Sequence, residues 1–228
     1  TGGHTQIYLI KKPNDYKLLG ETVDDAVGES FDKVAKLLDL SYPGGPEIEK
    51  FAQNGNFNVY DLPHPLKNKK NMNFSFSGIK TAVSLIVKNQ KKITQKFKKD
   101  MAASFQNKIT EIIIHKVEKT IKMLKNKNIN IADISIVGGV AANKALRNSL
   151  LNNDEINKYN IVYPPIEICG DNAAMIALVG LQKYIHKVQP DHFFNFKANP
   201  RLSIIESGSL WNIGCLNQSQ ARGHGMIR

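Results

Sequence analysis

Arginine is scarce in this chain. Only four of its 31 basic residues are Arg (Arg147, Arg201, Arg222 and Arg228), and the rest are lysine. A nucleic-acid surface built here would rest on point charges that position phosphates, not on planar forks that read bases. Cysteine is scarcer still. Cys169 and Cys215 stand far apart, which excludes a CxxC pair, a four-cysteine zinc site and a disulfide framework. A reducing compartment is the default. No long apolar run is present; Ala173 to Leu181 is about half a membrane span. The six histidines form no HxH or HxxxH pair. Acidic residues are missing from one whole stretch: Lys67 to Lys99 holds ten lysines and no carboxylate.

What is present is a globular balance. With 228 residues, 42% of them apolar and 22% charged, the chain can bury a core as one large domain or two small lobes. The formal net charge of +11 suits a polyanionic partner, and RNA is more natural here than a membrane. The Lys67–Lys99 stretch reads equally well as a phosphate-contacting surface or as a solvated lysine face. The sequence opens on Thr1 and a Gly-Gly turn, so an N-terminally incomplete chain is expected.

Strands alternate with helices, which predicts an α/β fold. His4 to Lys11 and Tyr16 to Leu19 read as paired strands around a Pro13-Asn14-Asp15 turn. Asp24 to Leu38 reads as an amphipathic helix. Pro46 opens a second helix, Glu47 to Gln53. Asn54 to Asn73 is expected to be a long loop. Ser77 to Val87 and Thr94 to Leu124 read as helices, the latter with an apolar stripe through Phe97, Met101, Phe105, Ile109 and Ile112. Ile131 to Val137 is an expected strand, followed by Gly138-Gly139 and a helix from Ala141 to Leu151. Ile161 to Tyr163 is a short strand, and Asp171-Asn172 opens a last helix from Ala173 to Lys187. From about Ser203 the sequence loses periodicity, and a poorly ordered extension is expected.

Four constellations could carry chemistry. In Val137-Gly138-Gly139-Val140-Ala141-Ala142-Asn143 a strand ends on two glycines where a helix begins, so a ligand can approach the backbone and Asn143 can bond a ribose hydroxyl. The same pattern also reads as a plain turn needing positive φ. Thr1-Gly2-Gly3-His4-Thr5 suits a phosphate held by backbone N–H groups, or a hairpin turn. Asp32 lies beside an apolar helix face and could accept from ribose hydroxyls; an ordinary Asp32–Lys33 surface pair is the plainer reading. Asp171, at the mouth of the last helix, reads first as a helix cap. As a metal ligand it would need two or three partners.

Taken together, TGGHTQ, LLGETVDDAVGESFDKVAKLLDLSYPGGP, FSFSGIKTAV, AASFQ, VGGVAANKALR and CGDNAAMIA, in that order over residues 1 to about 181, resemble the tRNA threonylcarbamoyladenosine transferase family (TsaD, formerly labelled glycoprotease). Their wording fits the bacterial or organellar branch. The resemblance implies the two-lobed actin-like ATPase fold, with residues 1–200 belonging mainly to the second lobe and 201–228 an atypical tail. It implies transfer of a threonylcarbamoyl group from threonylcarbamoyl-AMP to N6 of the adenosine at position 37 of tRNAs reading A-starting codons. A kinase-like phosphotransferase on the same fold, or a non-catalytic module binding tRNA or a paralogue, are the rival readings. The implied partners are tRNA, a smaller paralogous subunit and an ATPase; no membrane is expected, and the cytoplasm is the expected location.

Residue by residue, the resemblance implies a glycine turn at Thr1, Gly2 and Gly3, and adenylate contacts at Asp32, Gly45 and Asn143. Glu49 stands where some members place an Asp on the ligand. The implied divalent metal, iron in the family, falls on Asp171, with threonylcarbamoyl-AMP or ATP as nucleotide. No residue is assigned a catalytic proton transfer. Gly170 stands where Thr is usual, a change expected to leave ligation by Asp171 intact. Two departures matter more: residues 204–228 have no counterpart in the family, and the HxxxH helix that precedes the glycine turn is not in this sequence. A site left with one of three protein ligands is expected to hold metal weakly.

Overall fold

A computed structural model describes residues 3–12 and 15–187. Thr1, Gly2, the Pro13-Asn14 turn and the extension expected from Ser203 lie outside the described residues. The order of elements is β1 (Gln6–Lys12), β2 (Asp15–Glu21), α1 (Val27–Leu37), α2 (Gly44–Ala52), α3 (Ser77–Lys88), α4 (Gln95–Asn126), β3 (Asp133–Ser135), α5 (Lys144–Leu151), β4 (Asn160–Val162) and α6 (Ala173–Ile185). Short 3-10 turns cover Gly139–Ala142 and Ile166–Ile168. The fold is α/β. Its sheets among the described residues are two-stranded: β1 with β2, and β3 parallel to β4 with Ile134 opposite Ile161.

Two compact units divide the chain, one of residues 1–7 and 19–171, the other of 8–18 and 172–228. The first holds the main core. Phe31, Val34 and Leu38 at one face of α1 meet Ile48 of α2, Ile79 and Val83 of α3, and Met101, Phe105, Ile109 and Ile112 of α4. Phe31 and Phe105 meet edge to face, 5.1 Å between ring centres. Cutting one such side chain to alanine costs ~2–5 kcal/mol. A second cluster joins Ile121 at the far end of α4 to Leu146 and Leu150 of α5 and to Ile156.

The helices differ from expectation mainly at their starts. α1 begins at Val27, three residues after the expected Asp24, because Thr5 Oγ1 accepts the Val27 N–H at 2.9 Å and fixes the first turn there. Asp24 instead turns to α3. Its carboxylate accepts from the N–H of Phe76 at 2.8 Å and from the hydroxyls of Ser75 and Ser77. Burial pushes the Asp24 carboxyl up, but these bonds, led by Ser75, outweigh it and hold it below its ordinary value. α4 opens as expected, on Thr94, whose Oγ1 accepts from Phe97 N. The expected strand Ile131–Val137 shrinks to three residues, the length over which β4 pairs with it.

The long 54–73 loop contains no helix or strand, as expected, and α4 pins it. Asp100 Oδ1 accepts from Asn56 N at 2.9 Å, and Ser104 Oγ accepts from Tyr60 N at 3.3 Å. The buried Lys116 ammonium donates to the Leu66 carbonyl at 3.1 Å. Each bond satisfies a loop backbone group that secondary structure leaves unpaired. Among the described residues no helix is long and apolar enough to cross a membrane.

Candidate functional site

The crossing of α1 and α2 brings Asp32 and the glycine pair together. Asp32 Oδ1 accepts the Gly44 N–H at 2.8 Å, so a side chain of α1 satisfies the first orphan donor of α2. The helices approach so closely that a Cβ on Gly44 would lie 2.7 Å from both Asp32 Cα and the Phe31 carbonyl oxygen. Gly45 is the reverse: a Cβ there would meet nothing within 4 Å. Asp32, Lys36, Leu40, Ser41, Tyr42 and Gly44 line a cavity of about 300 Å³. The expected Asp32–Lys33 pair does not form; Lys33 reaches Asp25 and Glu29 instead, each at 2.7 Å.

Glu49, one helical turn after Gly45, crosses to α5. Its Oε1 accepts the Lys144 N–H at 2.6 Å. That bond ties the glycine-bearing helix to the residue after Asn143. Asn143 is buried, and both ends of its amide are engaged: Oδ1 accepts from Leu146 N at 2.9 Å and caps α5, while Nδ2 donates to Gln106 Oε1 at 2.8 Å. The single helix expected from Ala141 is therefore two pieces. The 3-10 turn Gly139–Ala142 ends at Asn143, whose extended ψ of 117° breaks it before α5 begins. Gly138 has φ 92°, the left-handed region that the turn reading required. Gly3 is exposed, with open space at its Cβ position, two residues before the Thr5 cap of α1. Thr1 and Gly2 lie outside the described residues.

Arg147 ties the Gly138–Asn143 turn to the segment leading to Asp171. Its guanidinium donates to the carbonyls of Ala141 and Pro164 and, at 3.2 Å, to Cys169 Sγ, and it lies 4.7 Å from the Tyr163 ring centre. Cys169 is thus a buried free thiol in a packed position. Asp171 is exposed, and it is not the helix cap. Asn172 is, accepting from Met175 N at 3.0 Å. Among the described residues no three His, Cys, Asp or Glu side chains gather to hold a metal ion. One exposed carboxylate does not fit a resident divalent metal.

Sequence reasoning gave no role to Asp24, Gln106 or Arg147, and it placed Thr5 in the glycine turn without its bond to Val27 N. Gln106 lay inside AASFQ without a role. Arg147 had a visible signal, as the first arginine of a lysine-dominated chain, since a fork of donors suits several fixed acceptors where an ammonium does not.

The model of the family TsaD, tRNA N6-adenosine threonylcarbamoyltransferase, matches residues 1–178. The chain belongs to this family. It is similar to the tRNA N6-adenosine threonylcarbamoyltransferase of Rickettsia rickettsii (strain Sheila Smith), 46% identical over 209 residues that make up 91% of this chain and 61% of the relative. The enzyme of the same name from Pelagibacter ubique (strain HTCC1062) is 49% identical over 202 residues, 88% of this chain and 56% of the relative. That of Thermosipho africanus (strain TCF52B) is 45% identical over 204 residues, 90% and 59%. The chain therefore spans roughly three-fifths of the threonylcarbamoyltransferases it matches. The match takes in Asp32, Gly45, Glu49, Asn143 and Asp171.

Proposed function

We propose that this chain supplies part of the adenylate pocket of a tRNA threonylcarbamoyltransferase of actin-like ATPase fold. The reaction moves the threonylcarbamoyl group of threonylcarbamoyl-AMP to N6 of adenosine 37 in tRNAs reading A-starting codons. The N6 amine attacks the carbamoyl carbonyl, the bond to the phosphate oxygen breaks, AMP leaves, and the amine gives up a proton. Adenine N6 is a weak nucleophile, so holding the two reactants in line carries much of the acceleration.

The observation that carries this reading is the Asp32–Gly44 bond at the wall of the 300 Å³ cavity, with the open backbone of Gly45 beside it. A fixed carboxylate can accept from ribose hydroxyls, and a glycine with free space at its Cβ position lets a ligand reach the backbone. Asn143 joins such a contact by exchanging its Gln106 partner for a ribose hydroxyl, keeping Oδ1 on Leu146 N. Gly3 extends the glycine turn toward phosphate. A smaller paralogous subunit and an ATPase partner complete the proposal; the described residues do not fit a metal at Asp171, and no step here runs through one.

The test has two arms. Calorimetry with a non-hydrolysable threonylcarbamoyl-AMP analogue should give binding by the wild-type chain and a loss of about tenfold or more in Asp32→Ala, the scale of a charge-assisted hydrogen bond. Nucleoside mass spectrometry after incubation with tRNA, ATP, threonine, bicarbonate, metal and the partner proteins reads the transfer, with an intact relative as control. A chain that binds tRNA and partners but not the adenylate would instead be an assembly module.

A further inference from the structure

A second cavity, of about 460 Å³, lies where the long loop meets the start of α4. Its walls include Asn56, Tyr60, Gln90, Lys92, Lys96 and Phe97. The geometry points to this cavity as a subsite for one unstacked nucleotide of an RNA, its base against Tyr60 and its phosphates on Lys92 and Lys96. The identity of the RNA as tRNA rests on the function proposed above; the chemistry of the cavity does not.

The walls are built, not incidental. Tyr60 is half-buried and braced edge-on by the buried Phe97, 5.6 Å between ring centres. Its backbone N–H is held by Ser104 and that of Asn56 by Asp100, so α4 fixes the segment in place. Asp100 is the one carboxylate in the lining, and Asn56 N occupies its Oδ1. Lys92 and Lys96 are exposed and have Lys88 and Lys91 as exposed neighbours in sequence, within the acid-free stretch.

A rigid aromatic wall, amides able to bond a base edge and two ammonium groups are the parts of a single-strand RNA site. An acidic peptide would use the cations but has no use for an aromatic-walled cavity of this size. One side-chain bond links the segments that carry this cavity and the proposed adenylate pocket. Lys98, the residue after Phe97, donates to the Asp39 carbonyl at 2.9 Å, and Asp39 precedes Leu40 of that pocket.

Fluorescence anisotropy of labelled unmodified tRNA with the full chain tests this. Lys92→Gln/Lys96→Gln should weaken binding about fivefold or more and lower the salt slope by about 1.4, the loss of two single-strand phosphate contacts. Tyr60→Leu should cost about tenfold while Tyr60→Phe keeps wild-type affinity. Thermal melts separate misfolding from lost binding. Three outcomes would overturn the proposal: equal loss in the charge-matched Lys122→Gln/Lys127→Gln, displacement of tRNA by polyglutamate as readily as by a single-stranded RNA of equal charge, or a wild-type chain that does not bind tRNA. The threonylcarbamoyl-AMP analogue titration is run on the same variants. Adenylate binding that survives in each of them leaves the adenylate reading standing if the RNA subsite fails.

Discussion

Glu49 of α2 accepts a 2.6 Å hydrogen bond from the backbone N–H of Lys144, 95 residues away. The bond does two jobs. It satisfies an N–H in the first turn of α5, and it brings the helix that carries Gly45 to the residue after Asn143. The resemblance set Glu49 itself where some members place an Asp on the ligand; in the structure its Oε1 is bonded to Lys144 N, between two expected contacts. Glu49→Ala should lower stability by about 1 kcal/mol, the usual worth of a helix-capping acceptor. It should also weaken binding of a threonylcarbamoyl-AMP analogue, by loosening Asn143. Glu49→Gln keeps an acceptor and should recover most of the stability in urea titrations.

Gly44 and Gly45 should respond oppositely to one added methyl group. At Gly44 the Cβ meets backbone of α1 at 2.7 Å, and backbone cannot swing away. Gly44→Ala should cost about 1–3 kcal/mol by forcing α1 and α2 apart. At Gly45 the Cβ meets nothing, and alanine favours a helix by roughly 0.5–1 kcal/mol over glycine. Gly45→Ala should therefore leave the melting temperature level or raised. If the open space serves the adenylate, analogue affinity falls in this stable variant. Unchanged affinity would remove Gly45 from the pocket.

The elements legible in the sequence were those whose signal is local. The apolar stripe of α4, the Thr94 cap and the left-handed Gly138 all follow from residues within a few positions of one another. The polar contacts that assemble the site are not local. Asp24 serves a helix some 50 residues later, and Asn143 bonds Gln106 across 37 positions. Spacing within a segment carries no trace of such partners. The β3 boundary was overread for a related reason. A β-rich run states what could pair, while strand length is set by how much of β4 lies opposite. Gly45, Asp32 and Asn143 were expected as adenylate contacts on motif wording, and the bonds that hold Asp32 and Asn143 came only with the fold.

His64 in the long loop packs edge-on against His115 of α4, with 5.3 Å between ring centres, and its Nε2 is buried without a partner. Burial, with repulsion from His115 and Lys67, pulls its pKa down to about 4. The unfolded chain takes up this proton near pH 6.5, well before the folded one. Stability from this group is therefore full above pH 6.5 and is lost as pH falls toward about 4. Melting temperatures measured from pH 7 to pH 4.5 should show that decline. In His64→Phe this part of the decline should vanish. At neutral pH the variant should be unchanged or up to about 1 kcal/mol more stable, because an unpaired buried nitrogen is gone.

Arg147 holds three acceptors and one ring at once, and lysine cannot copy that. Its guanidinium spans the Ala141 carbonyl, the Pro164 carbonyl and Cys169 Sγ while lying over Tyr163. An ammonium keeps the charge but reaches one or two of these points and loses the planar stack. Arg147→Lys should cost about 1–3 kcal/mol, the sum of one or two charge-assisted bonds and a cation–π contact. Arg147→Ala should cost more, since two carbonyls are left without their donor. The segments freed are those carrying Asn143 and Asp171, so adenylate affinity should fall with stability in Arg147→Lys. Cys169→Ser separates the parts. Serine still accepts from the guanidinium, so this variant should lose less than 1 kcal/mol and keep its affinity. An Arg147→Lys chain that melts like the wild type in urea would mean that the clamp contributes nothing to holding the turn.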